Sequence, residues 1–231
     1  MVPGVKLVVL GKQGAGKGTQ CVRLSHHYVV PHVSTGDMLR GAVKSGSALG
    51  TKVKEAMDRG ELLGDDIIME MVAERLAEPD ARARGFILDG CPRTTRQAEA
   101  IAALMAPDDI DLVVDIEVET VQAMRRLASR RVCTDCGTNY SVTAPPKVNW
   151  TCDICGGEVI QREDDTEAAI RRRLDLYERQ TAPLIQWYER RDQLVKINGL
   201  GATEAVSRRI VRAVEDRRGK WRGPGRAGKP T

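Results

Sequence analysis

The chain opens with an apolar run, Val5 to Leu10, and then breaks into glycines. From Lys17 to Tyr28 its apolar positions recur with helical spacing. Further short aliphatic runs at Phe86–Leu88, Leu112–Ile116 and Leu194–Ile197, with a shorter one at His32–Ser34, predict four more strands. Helical periodicity fills the intervals, predicting helices over Asp37–Val43, Leu49–Arg59, Asp65–Leu76, Thr94–Met105, Thr120–Ser129, Thr166–Arg190 and Thr203–Glu215, with Pro183 placed to kink the long one. This alternation predicts an α/β fold, a parallel five-stranded sheet with helices on both faces.

Length and charge narrow the picture. At 231 residues the chain suits one α/β domain with insertions. No apolar run approaches a membrane span, and Met1 to Gly11 lacks the h-region of a signal peptide, so a soluble, cytoplasmic protein is expected. The net charge of +4 is misleading. From Asp216 to Thr231, six lysines and arginines face one acid, which leaves that tail at +5 and all other residues together at −1. The tail, rich in Gly and Pro as well, is expected to be disordered. Aromatics at 3% are too sparse for base-stacking platforms, so no specific nucleic-acid partner is expected.

The first chemical signal lies between the opening strand and helix: Gly11-Lys12-Gln13-Gly14-Ala15-Gly16-Lys17-Gly18-Thr19. Glycines let successive N–H groups converge on an oxyanion, Lys17 adds a point charge, and the helix N-terminus favours phosphate. Gly18 stands where the general Walker A pattern has Ser or Thr, and the hydroxyl comes one residue later at Thr19.

The second is a cysteine quartet. Cys133-x2-Cys136 and Cys152-x2-Cys155 are separated by fifteen residues, the spacing of a four-cysteine zinc site. Four thiolates fill a tetrahedral shell, so the role is structural, stapling a segment too short for its own core. Disulfides are the alternative in an oxidising compartment, and the spacing does not separate zinc from iron. Cys21 and Cys91 have no partner at ligand spacing and read as packing residues.

The third is Gly85-Phe86-Ile87-Leu88-Asp89-Gly90-Cys91-Pro92-Arg93. A strand that delivers Asp89 at its carboxyl end puts a carboxylate in the crevice where open α/β sheets bind ligands, suited to the water shell of Mg2+. Arg93 can fork onto phosphate oxygens. Taken alone, Asp89 is equally a turn cap. Arginines also flank the cysteine segment, Arg130 and Arg131 before it and Arg162 after it, with Arg171-Arg172-Arg173 following among acids. Such a hinged flap suits closure over a polyphosphate, whereas Arg171 and Arg172 suit a solvated helix face.

From Leu7 to Glu215 these motifs resemble those of the adenylate kinases, specifically the long bacterial type whose lid carries a zinc site. The resemblance rests on Gly14-Ala15-Gly16-Lys17-Gly18-Thr19-Gln20, Ser34-Thr35-Gly36-Asp37-Met38-Leu39-Arg40, Asp89-Gly90-x-Pro92-Arg93-x-x-x-Gln97, Gln161-Arg162-x-Asp164-Asp165 and Asn198-Gly199. It implies a P-loop core over 1–33, 64–129 and 168–215, a monophosphate-binding insertion over 34–63, a zinc-stapled lid over 130–167 and the basic tail over 216–231. It also implies the reaction ATP + AMP ⇌ 2 ADP, with Mg2+ and structural Zn2+ as cofactors, and a monomer.

Residue by residue, the resemblance implies an ATP site of Gly14, Ala15, Gly16, Lys17, Gly18, Thr19, Arg130, Asn139, Tyr140 and Gly201. It implies an AMP site of Thr35, Arg40, Glu61, Leu62, Leu63, Gly90, Cys91, Pro92, Arg93, Gln97, Arg162 and Arg173. Lys17, Asp89, Arg93, Arg130, Arg162 and Arg173 would serve the transfer itself. Gln13, Cys91, Arg96 and Asn139 depart from the family's usual residues, and none removes a charge the chemistry needs.

Thr35 and Gln97 favour adenine over the pyrimidine or guanine acceptors of related kinases. A nucleotide-gated module reading nucleic acid through its cysteine segment is the reading from another class. Between Cys133 and Cys155 it has one lysine, Lys147, and two aromatics, Tyr140 and Trp150, to work with. A phosphate-binding regulator without turnover would leave the retained cations unexplained.

Overall fold

The protein is described here from a computed structural model covering residues 4–46, 50–51, 53–55 and 63–221. In chain order, β1 (Val5–Leu10) leads to α1 (Lys17–Tyr28), β2 (His32–Ser34), α2 (Thr35–Lys44), α3 (Asp65–Ala77), α4 (Pro79–Arg84) and β3 (Gly85–Asp89). Then come α5 (Thr95–Met105), β4 (Leu112–Glu117), α6 (Thr120–Ser129) and three short strands, β5 (Arg130–Cys133), β6 (Asn139–Ser141) and β7 (Val159–Ile160). The chain closes with α7 (Glu167–Leu176), α8 (Pro183–Glu189), β8 (Leu194–Asn198) and α9 (Thr203–Trp221). Of the helix expected over Leu49–Arg59, residues 50–51 and 53–55 are helical, and the rest lies outside the described residues.

Five parallel strands form the main sheet in the order β2-β3-β1-β4-β8. Alternation along β1 builds both cores. Val5, Leu7 and Val9 pack with Leu24 and Tyr28 of α1 and with Val206 and Ile210 of α9. Val8 and Leu10 face the other way, toward Val72 of α3, Ile101 of α5 and Leu184 of α8. Because β2 and β3 lie on one side of β1 and β4 on the other, the chain reverses direction at β1. A crevice opens there beyond the carboxyl ends of the strands. Ser34 and Asp89 pair across those ends. The cysteine segment forms its own antiparallel sheet, in the order β6-β5-β7, which the hydrophobic pattern did not predict.

Two expectations are corrected. The single helix over Thr166–Arg190 is interrupted ahead of Pro183 by one π turn, Tyr177–Thr181, in which Ala182 N–H bonds to the Tyr177 carbonyl at 2.8 Å. Pro183 has no N–H to give, and one inserted residue relieves its clash with the preceding turn. The last helix runs to Trp221, so residues 216–221, expected in the disordered tail, are helical. Arg217 pairs with Asp192 at 2.9 Å, and the Arg218 guanidinium lies 5.1 Å from the Tyr28 ring centroid. No helix among the described residues is long and apolar enough to cross a membrane.

Candidate active site

Past β1 the backbone turns through Gly14 and Gly16, both at positive φ (84° and 99°), and Gly16 caps α1 from the left-handed region. A side chain at Gly14 would press within 2.5 Å of the Ala123 carbonyl oxygen, whereas around Gly16 the space is open, on the side a phosphate would occupy. Lys17 curls back over the loop, its Nζ donating to the carbonyls of Gly11 (2.6 Å) and Lys12 (3.0 Å). Burial pushes its amine down to about 8, against the opposing pull of Asp89. An approaching phosphate would restore the lost charge balance.

Asp89 stands at the end of β3, as expected, with Oδ2 3.4 Å from His32 Nε2. The chain then turns at Gly90 (φ 84°), where a side chain would come within 2.6 Å of Thr35 Oγ1. The turn carries Arg93 back so that its Nε donates to the Gly90 carbonyl at 2.8 Å. Arg93 is half-buried; burial and then neighbouring Arg173 lower its pKa, while Asp89 raises it.

Arg93, Arg173, Thr35, Arg40, Leu63 and Gln97 line one cleft. Gln97 Oε1 accepts the Arg93 N–H, and its Nε2 donates to Asp65. Cys91 lies buried behind this pair, its Sγ 3.6 Å from Gln97 Oε1. Arg40 is ion-paired with Asp37. Glu61 and Leu62 lie outside the described residues.

The remaining cations come from the hinges of the cysteine segment. Arg130 Nε donates to Asp165 at 2.7 Å, and Arg173 reaches Asp164 and Asp165 at 3.2 and 3.3 Å. Arg162 feels the same two acids, which raise its pKa, but less than its surroundings lower it. Its Nε is buried without a hydrogen-bond partner, and burial, then Arg130 and Arg40, push its guanidinium down to about 10. An unpartnered guanidinium nitrogen beside two further arginines is a place for an anion. Lys54 meets Glu163 at 3.1 Å, so the helical residues 53–55 and the chain after β7 touch.

All four cysteine sulfurs lie within 4.8 Å of one another, with Cys133 and Cys155 at 3.4 Å and Cys136 and Cys152 at 3.5 Å. The two knuckles are built alike: Gly137 N–H returns to the Cys133 carbonyl, and Gly156 N–H to that of Cys152. Four converging thiols with no carboxylate among them fit a tetrahedral thiophilic ion such as zinc. Tyr140 turns its hydroxyl toward this cluster, 3.4 Å from Cys152 Sγ, and accepts the Asp153 N–H at 2.8 Å. Asn139 is exposed beside it, and Gly201 sits at positive φ (103°) beyond β8.

Sequence reasoning missed three residues here, one of them Asp65, which holds the Gln97 amide. Arg126 of α6 donates to the carbonyls of Ala15 (3.2 Å) and Gly199 (3.1 Å), joining the phosphate loop to the turn after β8. No pattern in the sequence marks it, since Arg126 reads as one more arginine of an amphipathic helix that ends before Arg130. Gln13, noted only as a departure, lines the cleft of Arg93 and Arg173.

A phosphate loop, an acid on the neighbouring strand and arginines converging from α2, the turn after β3, the cysteine segment and α7 define a P-loop phosphotransferase. The sequence model described as adenylate kinase matches residues 9–193. The chain is 46% identical over 215 residues to the adenylate kinase of Methanocella arvoryzae, covering 91% of this chain and 98% of that one. It is 48% identical over 214 residues to that of Geobacter sulfurreducens, covering 91% and 98%, and 46% identical over 214 residues to that of Carboxydothermus hydrogenoformans, covering 91% and 100%. This chain belongs to the adenylate kinase family.

Proposed function

We propose that the protein catalyses the reversible, Mg2+-dependent reaction ATP + AMP ⇌ 2 ADP, with the cysteine-bearing lid closing over both nucleotides. The observation that carries this reading is the crowding of half-buried cations between the phosphate loop and the cleft of Thr35, Arg40 and Gln97, with Arg162 lacking any hydrogen-bond partner for its Nε.

In this reading Gly14 to Thr19 wrap the ATP phosphates, and Lys17 leaves the Gly11 and Lys12 carbonyls to bridge toward the transferred group. Arg130, Asn139, the ring of Tyr140 and the backbone of Gly201 complete the donor site. The acceptor phosphate is held by Arg40, Arg93, Arg162 and Arg173. Thr35, the backbone of Glu61 to Leu63 and the Gly90–Arg93 turn wall in its nucleoside, and Gln97 reads the adenine edge. An AMP phosphate oxygen attacks the γ-phosphorus in line, the bond to the ADP oxygen breaks, and the arginines neutralise charge spread over the equatorial oxygens.

The partly exposed Asp89 carboxylate fits the water shell of a nucleotide-bound Mg2+. When bound, that ion neutralises phosphate charge. Zinc on Cys133, Cys136, Cys152 and Cys155 would contribute folding energy to the lid and no open coordination position. The core over 1–33, 64–129 and 168–215, the insertion over 34–63 and the lid over 130–167 belong to the same proposal, as do a monomeric state and a cytoplasmic setting.

The test is a kinase assay with Mg2+ and ATP against AMP, GMP, CMP and UMP. Preferred turnover of AMP is expected, and equal or absent turnover of AMP defeats the reading.

A further inference from the structure

Behind the phosphate loop three side chains with different donor atoms meet: Cys21 from α1, His32 from β2 and Asp89 from the end of β3. Their sulfur, ring nitrogen and carboxylate oxygen all lie within 4.8 Å of one another. Cys21 is fully buried, while the side chains of His32 and Asp89 are 16% and 13% exposed. Solvent therefore reaches the cluster along the imidazole and the carboxylate. His32 and Asp89 share one long hydrogen bond of 3.4 Å, a weak contact for an incoming ion to replace.

A thiol, an imidazole and a carboxylate together suit borderline or soft divalent ions such as Zn2+, Co2+ or Cd2+. They do not suit Mg2+, which takes oxygen ligands in near-octahedral geometry. Three protein donors leave one tetrahedral position open, the form of an exchangeable site and unlike the closed shell of the lid. Charge also balances: a Cys21 thiolate and the Asp89 carboxylate together match a divalent ion. Entry is opposed by Lys17, close enough to interact with both, by Arg93 beside Asp89, and by the burial that favours the Cys21 thiol over its thiolate.

We propose that Cys21, His32 and Asp89 form a second, exchangeable site for a thiophilic divalent ion, and that filling it withdraws Asp89 from the nucleotide-bound Mg2+ and inhibits phosphoryl transfer. On binding, the Cys21 proton passes to bulk water and bonds form from the ion to sulfur, nitrogen and oxygen, with no change in oxidation state. The inhibitory half rests on the role given to Asp89 under the proposed function, whereas the binding half does not.

Co2+ is the probe, titrated into the full-length, zinc-reconstituted protein and into Cys21→Ala, which removes no group assigned to the transfer and keeps the four lid cysteines. Any exchange of Co2+ into the lid is common to both proteins and cancels in the difference. The expected result is a thiolate-to-cobalt charge-transfer band larger in the wild type by the intensity of one thiolate. Inhibition of ADP formation should be relieved by excess Mg2+ and weakened at least roughly tenfold in Cys21→Ala, since disturbing even an outer partner of a metal ligand costs that much affinity. Should Cys21→Ala not fold, His32→Gln carries the same comparison. Identical spectra and inhibition in wild type and variant overturn the proposal, and so does a band that leaves the Mg2+ dependence unchanged. Failure of the adenylate kinase reading shows separately, as no AMP-dependent turnover before Co2+ is added.

Discussion

The side-chain oxygen of Gln97 accepts the backbone N–H of Arg93 at 2.7 Å, which ties the residue proposed to read the base to the one proposed to grip the phosphate. The other end of the amide is fixed by Asp65, which accepts from Gln97 Nε2 at 2.7 Å and from Thr94 Oγ1 at 2.8 Å. Asp65 thus sets which way the amide points. Replacing it with alanine removes a charge-assisted hydrogen bond of about 1.5–3 kcal/mol, so KM for AMP should rise about tenfold or more while KM for ATP stays put. Initial rates with each nucleotide varied in turn check this, and an unchanged KM for AMP refutes it.

Arg93→Ala should lower kcat at least about a thousandfold, the scale on which a transition-state arginine acts in phosphoryl transfer. The variant should still unfold cooperatively, because the Arg93 side-chain bond to Gly90 is local to one turn. Single-turnover rates and a thermal melt, measured together, separate loss of chemistry from loss of fold.

Asp165 has a fully buried side chain and serves both Arg130 and Arg173. Asp165→Ala would leave the largely buried Arg130 guanidinium without this partner and Arg173 with Asp164 alone, and removing one partner of such a group costs about 3 kcal/mol. Urea denaturation of wild type and variant should show a midpoint shift of that size. A shift below about 1 kcal/mol would mean solvent already screens the pair.

Asp115, buried in β4, has an Oδ1 with no hydrogen-bond partner, and burial, then Glu117, push its carboxyl up to about 6. Its folded pKa lies above the unfolded value of about 3.9, so the folded state holds the proton more tightly. This contribution to stability is complete below about pH 4 and is lost as pH rises through about 6. Asp115→Asn should therefore be more stable than wild type by about 2 kcal/mol near pH 7.5, and the difference should shrink toward pH 4. Denaturation at several pH values measures it, and a pH-independent difference would refute the assignment.

Stripping the metal with a mercurial and a chelator should release a single ion per chain and loosen the lid alone. The lid's own apolar cluster is Cys133, Cys152 and Val159 with Tyr140 against them, too little to hold three short strands. Amide exchange should accelerate over β5, β6 and β7 and stay slow in β1, β3 and β4. Exchange that is unchanged throughout would show that the thiols carry no structural ion.

The main sheet was legible because its strands are apolar on both faces and each is followed by a helical period. Lys17, Asp89 and Arg93 were legible because each follows a strand end, where topology alone brings side chains into the crevice. Arg126 and Asp65 were not, since they act from helices whose contacts arise only once α6 meets the turn after β8 and α3 meets α5. The π turn escaped because a single inserted residue barely shifts a helical period. The C-terminal arginines misled in the opposite direction: counted as charges, Arg217 and Arg218 look like a solvated tail. Their side chains instead find Asp192 and the face of Tyr28.

Val113 of β4 lies opposite Leu194 of β8, so the edge of the main sheet is closed across a stretch of chain that includes the entire lid. That stretch is roughly eighty residues long, and a metal clip within it shortens the loop by only about a quarter. Since doubling a loop costs only about 0.6 kcal/mol in closure entropy, the clip eases formation of this strand pair by a few tenths at most. The cysteine segment and the main sheet, the proposed lid and core, are accordingly near-independent modules in folding terms. A different lid, stapled by other means or longer by many residues, could be grafted between α6 and α7 with little penalty to the sheet that carries the catalytic loop.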